Sequence, residues 1–300
     1  MKTLQTRVLI VALACAGVAG GLVVAAARAA AKAPRVLAPA PAADADDTAV
    51  AEAEHALLVA LLKGDKAAAN KLLDANFAWT DVDGKTITGS RGLPEIPKLL
   101  TSDGASARAT AHLYGDVATV RIDDGLAHVL RVWVKRPAGW TLLVYQEVRS
   151  LAAPPTTTPG PGKDCENPCR NVLYQPQNDI ERGVITSYMG LETASVGHDP
   201  VHWGPHVADE FVAASSYSNK LLTKPERMEE LGRSQMSGLA PTPVVTMHLT
   251  DFGDTVVMES KQQPDKGKPL HITRVWTKRD GNWLIVLAFQ TAIQSEPAKS

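Results

Sequence analysis

Cysteine is scarce: three in 300 residues, too few for a scaffold held together by disulfides. Aromatic residues make up only 5% of the chain. Neither sign of charge prevails, with 31 Lys+Arg against 32 Asp+Glu and a net charge of -1. A nucleic-acid partner needs a basic footprint, so none is expected. The P-loop, the GxGxxG turn, HExxH and G-x-S-x-G are missing as well. Their absence removes the usual grounds for a nucleotide-binding, zinc-protease or hydrolase assignment, and no cofactor is expected. What remains is an ordinary globular composition, 45% hydrophobic and 21% charged, on a chain long enough for roughly two domains.

Long apolar runs are equally few. One is unbroken from Val8 to Ala27 behind Lys2 and Arg7, the order of charge and apolar core found in a secretory signal. Ala27-Arg28-Ala29 supplies a small-x-small cleavage site. About 20 apolar residues also suffice to cross a bilayer, so residues 1–29 read as a signal peptide or an N-terminal anchor. Either way the rest of the chain is expected to be exported, periplasmic or secreted, and to touch a membrane only through that segment if it stays uncleaved. Cys15, in Ala12-Leu13-Ala14-Cys15, is a small residue of the signal core, because Leu13 stands one place too near for a lipidation box.

Two proline-rich stretches divide the remainder of the chain. Residues 30–48 are Ala/Pro-rich and form a tether, and residues 151–177 contain AAPPTTTPGPGK, in which proline blocks both helix and sheet ladders. They leave one domain at 49–150 and another at 178–295. In an exported chain Cys165 and Cys169 are expected to form a structural disulfide at the start of the second domain.

The two domains are copies. His128–Arg136 (HVLRVWVKR) recurs as His271–Arg279 (HITRVWTKR), and each turns into a second Trp-led strand, forming a hairpin. Tyr145-Gln146 pairs with Phe289-Gln290, His112 with His248, and the Asn76–Trp79 stretch with Glu210–Ala213. Trp140 to Gln146 is one residue shorter than Trp283 to Gln290. Either one copy carries a β-bulge, or the two glutamines face opposite sides. Each copy opens with an apolar helical stripe. The first ends at Gly64, with Asp65 capping a second helix that carries Ala68, Leu72 and Leu73. The second spans Ile180 to Leu191. Short helices are expected at Leu93–Leu100 and Pro225–Leu231.

This order, with FAWTDVDGKTITG, then GDVATVR, then RVWVKRPAGWTLLVYQ, resembles the nuclear transport factor 2-like superfamily and within it the SnoaL-like branch. The resemblance covers about 50–150 and 178–294. It implies an α+β fold: two tandem cone-shaped domains, each a strongly curved antiparallel sheet wrapped around about three helices. It further implies that the two sheets pack on one another as an intramolecular pseudo-dimer.

Steroid-isomerase members of that superfamily use an Asp base on the first strand and a Tyr on the first helix. By this resemblance Asp81, in Asp81-Val82-Asp83-Gly84, stands at the base position, and Tyr188 stands near the tyrosine position of the second copy. The first copy offers Leu57 instead of Tyr, and the second offers Ser215 instead of Asp. Each copy therefore lacks half of the pair. The leading expectation is non-catalytic binding of a small apolar ligand or a protein partner, in a cone or across the paired sheets. The alternative is a cofactor-independent isomerase, cyclase or dehydratase using Asp81 or Tyr188. Trp79, His112, Gln146, His206, His248 and Gln290 are the expected pocket residues. His198, His202 and His206 recur every four residues, but Pro200 and Gly204-Pro205 break the helix that metal binding would need, so no metal is expected. Trp133, Trp140, Trp276 and Trp283 read as hairpin packing, and Lys135-Arg136 and Lys278-Arg279 as solvated charge. A cavity with Asp81 pointing into it favours the enzyme, whereas a cone filled by its own side chains favours a scaffold.

Overall fold

The computed structural model describes residues 45–88, 108–123, 127–152, 165–218, 220–233, 242–265 and 267–296. The expected signal segment, most of the first tether, the core of the second and the Leu93–Leu100 helix lie outside the described residues. Among those described, no helix is long and apolar enough to cross a membrane.

Helix α1 (Ala45–Leu62) begins inside the stretch expected to be tether, where Asp46 and Asp47 place negative charge in its first turn. It buries Val50, Leu57, Ala60 and Leu61. It stops before Gly64, whose φ of +65° suits glycine. Asp65 caps α2 (Lys66–Asn70) by accepting from the Ala68 amide at 2.9 Å. Leu72 and Leu73 are not helical as expected. The Leu72 carbonyl accepts from the Leu142 amide at 2.7 Å, and Leu73 opens strand β1 (Leu73–Thr80). Beyond it come β2 (Thr86–Thr88), β3 (Arg108–Tyr114), β4 (Val117–Asp123), β5 (Ala127–Arg136) and β6 (Gly139–Arg149).

The second copy repeats the plan with α3 (Asp179–Val196), α4 (Pro200–Trp203), a 3-10 turn (Gly204–His206), β7 (Val207–Ser215), β8 (Leu222–Thr223) and α5 (Lys224–Arg233). It ends in β9 (Val244–Asp251), β10 (Thr255–Gln262), β11 (Leu270–Arg279) and β12 (Asn282–Ala292). Asn178 and Glu181 cap α3, the Asn178 side chain accepting from the Glu181 amide at 2.8 Å while Glu181 accepts from the Gln177 amide at 2.6 Å. Cys165 and Cys169 are bridged, and between them Asn167 exchanges two 2.9 Å hydrogen bonds with the backbone of Val244 at the start of edge strand β9.

The strand orders are β2-β1-β6-β5-β4-β3 and β8-β7-β12-β11-β10-β9, so the two sheets match strand for strand. Pairing is antiparallel except that β1 runs parallel to β6, and β7 to β12. The result is two tandem α+β cone domains whose sheets remain open, each with its helices packed on one face.

The one-residue irregularity has a simple resolution. Register slips between Val132 and Trp133 opposite Leu142 and Val144, and between Val275 and Trp276 opposite Ile285 and Leu287. Both copies therefore carry the same bulge, at Leu143 and at Val286. With both bulged, Gln146 is the counterpart of Phe289, and Gln290 is the counterpart of Glu147. The two glutamines are not equivalent. Similarly, His112 opposes Thr119 while Thr250 opposes Val257, so His112 corresponds to Thr250 and not to His248.

The outer faces of the two sheets meet. Val117, Leu130, Val132, Val134, Val144 and Val148 of the first pack with Val257, Val275, Val286, Leu287 and Phe289 of the second. Gln146 is fully buried there, its Nε2 donating to the Phe289 carbonyl (3.2 Å) and to Thr291 Oγ1 (2.9 Å). The turn at Gly84 docks on the last strand. A Cβ there would lie 2.7 Å from the Ile293 Cα, and the Gln294 amide donates to the Asp83 carbonyl at 2.8 Å.

Candidate functional site

The interior of each cone holds a buried pair of opposite charges. In the first, Trp79 of β1, Tyr145 of β6 and Arg131 of β5 are neighbours in one row across three strands, so all three face the helices. Arg131 is fully buried, in ionic contact at 2.5 Å with Glu54 of α1, and its guanidinium lies 5.6 Å from the Tyr145 ring centre. Trp133, two residues along, donates Nε1 to the other oxygen of Glu54 at 2.9 Å. Burial pushes the Glu54 carboxyl upward, while Arg131 and the indole donor pull it back. Tyr145 is pushed up by burial as well.

The second cone rebuilds this arrangement from different elements. Arg274 of β11 pairs with Glu192 of α3 at 3.0 Å, reaches Ser260 Oγ at 3.4 Å and lies 5.0 Å from the Tyr188 ring centre. The row that holds Trp79 and Tyr145 in the first copy holds Ala213 and Ala288 here. Those two alanines leave room that Tyr188, arriving from the helix, fills. Its hydroxyl accepts from Gln262 Nε2 at 2.6 Å, and its ring meets Trp276 edge-on at 6.5 Å. Burial raises both Glu192 and Tyr188, with Arg274 opposing in each case. A buried arginine recurs at the same strand position in both copies, each time held by a helix carboxylate and stacked near a phenol.

The residues named from sequence do not converge. The Asp81 carboxylate accepts from the Asp83 amide (3.0 Å) and the Lys85 amide (2.9 Å), so it closes its own turn, the one docked on the second domain, and is not aimed into the cone. Tyr188 does lie inside its cone. Of the expected pocket set, Trp79 is in the first core. Gln146 is between the sheets, on the opposite face from the cone, because the bulge at Leu143 sets its facing. His112 and His248 are exposed on edge strands β3 and β9. Gln290 is half-buried. His206 packs against α3, where Gly190 leaves room: a Cβ there would be 2.6 Å from its Nε2. Ser187 donates its one proton to the Trp283 carbonyl at 2.7 Å, so His206 Nδ1, 2.9 Å away, is the donor to Ser187 Oγ. Burial lowers the His206 pKa. His202 instead turns to Asp199 at 2.5 Å. Lys135, Arg136 and Arg279 are not free solvated charges but reach Asp46 (2.7 Å), Asp74 (2.8 Å) and Glu210 respectively.

Sequence reasoning passes over Glu54, Arg131, Glu192 and Arg274. The visible signal is the arginine that recurs in HVLRVWV and HITRVWT, a charge within an unbroken run of buried strand positions. The helix carboxylates carry no comparable mark, since glutamate on a helix is ordinary.

Searches with the chain match no family profile and no curated protein. Among solved structures it is similar to an NTF2-like protein from Cytophaga hutchinsonii, at 21% identity and TM-score 0.35, over 40% of this chain and 100% of that one. It is also similar to an NTF2-like protein of unknown function in nutrient uptake from Rhodospirillum rubrum, at 18% identity and TM-score 0.33, over 37% and 98% of the two chains. A DUF3225-family protein from Pectobacterium atrosepticum matches at 21% identity and TM-score 0.34, over 39% and 92%.

Proposed function

We propose that the chain is an exported, non-catalytic binding protein whose two cones serve as structural cores and whose partner is a protein engaged on its surface. One observation carries this reading: Trp133, Arg131 and Tyr145 in the first cone, and Trp276 and Tyr188 in the second, are each under 2% exposed. A side chain that enclosed leaves no water-sized space beside it, so a small apolar ligand has no room at the inner end of either cone. Lys2, Arg7 and the apolar run behind them support export. Native mass spectrometry of protein purified from an exporting host tests both halves. The expected spectrum has the mature mass without the N-terminal segment and no retained small molecule. A mass beginning at Met1 removes export with cleavage, and a co-purified organic ligand removes the filled-cone reading.

A second reading, an isomerase- or lyase-type enzyme, draws on one feature of the second cone. Tyr188 and Glu192 stand one helical turn apart on α3, and burial raises the Glu192 pKa, the direction that favours a proton donor. It requires Arg274 and Gln262 to release both groups, and turnover of a carbonyl substrate that is lost in Tyr188→Phe and Glu192→Gln would favour it.

A further inference from the structure

The seam between the sheets departs from symmetry in one consistent way. Strand register makes Gln146 the counterpart of Phe289, Val148 of Thr291, Val117 of Thr255 and Tyr114 of Phe252. Part of the seam obeys the two-fold relation that this implies: Arg136 lies 5.0 Å over the Phe252 ring, and its counterpart Arg279 acts electrostatically on Tyr114. Counterparts that touch one another must sit at the two-fold axis. Gln146 Nε2 donates to the Phe289 carbonyl at 3.2 Å, so the axis passes between these two residues.

Three side-chain hydrogen bonds that cross the seam have no reciprocal. Gln146 Nε2 donates to Thr291 Oγ1 at 2.9 Å, Thr291 Oγ1 donates to the Glu147 carbonyl at 2.8 Å, and Thr255 Oγ1 donates to the Tyr114 carbonyl at 2.8 Å. Their counterparts Phe289, Val148 and Val117 carry no polar side-chain atom. Each module's face is polar where the other's is apolar.

We infer that the first module's sheet face is built to recognise the second module's face and to reject a copy of itself. Two first-module faces would set Gln146 against Gln146 with Val148 in place of the Thr291 hydroxyl, so each amide loses the acceptor that holds it in place here. Two second-module faces would crowd Phe289 on Phe289 at the axis and lose the glutamine donor. The partner of each face is therefore the unlike module, from the same chain or exchanged from a second chain, and like-with-like association is excluded.

The full chain carries the test. Q146F/V148T turns the axis into a seam of two second-module faces, F289Q/T291V turns it into a seam of two first-module faces, and the four changes together restore an unlike seam in reverse. Each double variant is expected to lower the melting temperature by roughly 2–4 °C, and the fourfold variant to recover at least half of the summed loss. Additive losses, or no loss in either double variant, overturn the inference. Where a double variant yields no folded protein, a cooperative melt in the fourfold variant supports the inference and its absence overturns it.

Discussion

At the scale of single residues, burial decides what each charge is for. Arg131 sits where a solvated charge cannot, and Glu54 from α1 is what makes that tenable. Breaking such a pair by removing one member leaves the other uncompensated, which costs about 3–5 kcal/mol. Because Glu54 keeps some contact with solvent, Glu54→Leu or Arg131→Met alone is expected near the lower end of that range, about 3 kcal/mol, in urea unfolding. The double replacement is expected to recover most of the loss, and equal losses in all three would show that the pair is not the coupling element. Glycine gives a second test. Gly64 and Gly84 both have positive φ, +65° and +74°, but only Gly84 faces a neighbour, the backbone at Ile293. Gly64→Ala is expected to cost about 1 kcal/mol from backbone strain alone. Gly84→Ala should cost about 2 kcal/mol or more, because the interface must also give way. Identical melting shifts for the two would remove the docking argument.

Among elements, the hairpins are the most legible part of this chain and their facing is the least. β-rich runs and turn residues announce β5–β6 and β11–β12, and the repeated Trp and Lys-Arg positions announce that they are the same hairpin twice. A bulge leaves no such mark, because Leu143 and Val286 are ordinary strand residues, yet one extra residue reverses every facing beyond it. With the same bulge in both copies, Gln146, which looks like the mate of Gln290, is the counterpart of Phe289 and lies with it in the seam between the sheets. Tyr188 is legible for the opposite reason, since helical spacing alone turns it toward its core. The cysteine segment acts on an element as well: Asn167, held between bridged Cys165 and Cys169, extends the ladder of edge strand β9 by two hydrogen bonds. Closing so short a loop is worth about 2 kcal/mol in the chain-entropy account. Cys165→Ser with Cys169→Ser is expected to lower stability by about that much, with faster hydrogen exchange at the Val244 amide. Unchanged exchange there would show that the strap does not need the bridge.

For the molecule as a whole, the seam between the sheets sets how stability responds to acid. Burial drives Glu259 up from 4.5 to about 7 and His271 down from 6.5 to about 4, the two lying 3.9 Å apart, with His271 Nδ1 3.4 Å from Thr86 of the first domain. For His271 the unfolded chain binds more protons between pH 4 and 6.5, so its contribution to stability grows as pH rises through that window. For Glu259 the folded chain binds more protons between pH 4.5 and 7, so its contribution shrinks as pH rises. The slopes oppose, so the contributions of these two groups largely cancel from pH 4.5 to 6.5. Glu259→Gln should unmask a melting temperature that climbs with pH, and His271→Asn one that falls. Parallel profiles in all three would show that these groups titrate normally. The face-to-face seam also orders events in time. Strand β12, which covers the first sheet, is the last strand of the second module in chain order, so the first module must wait with a wide greasy surface bare until the second has been made, the interval in which it is most open to capture by a chaperone or by a neighbouring nascent chain.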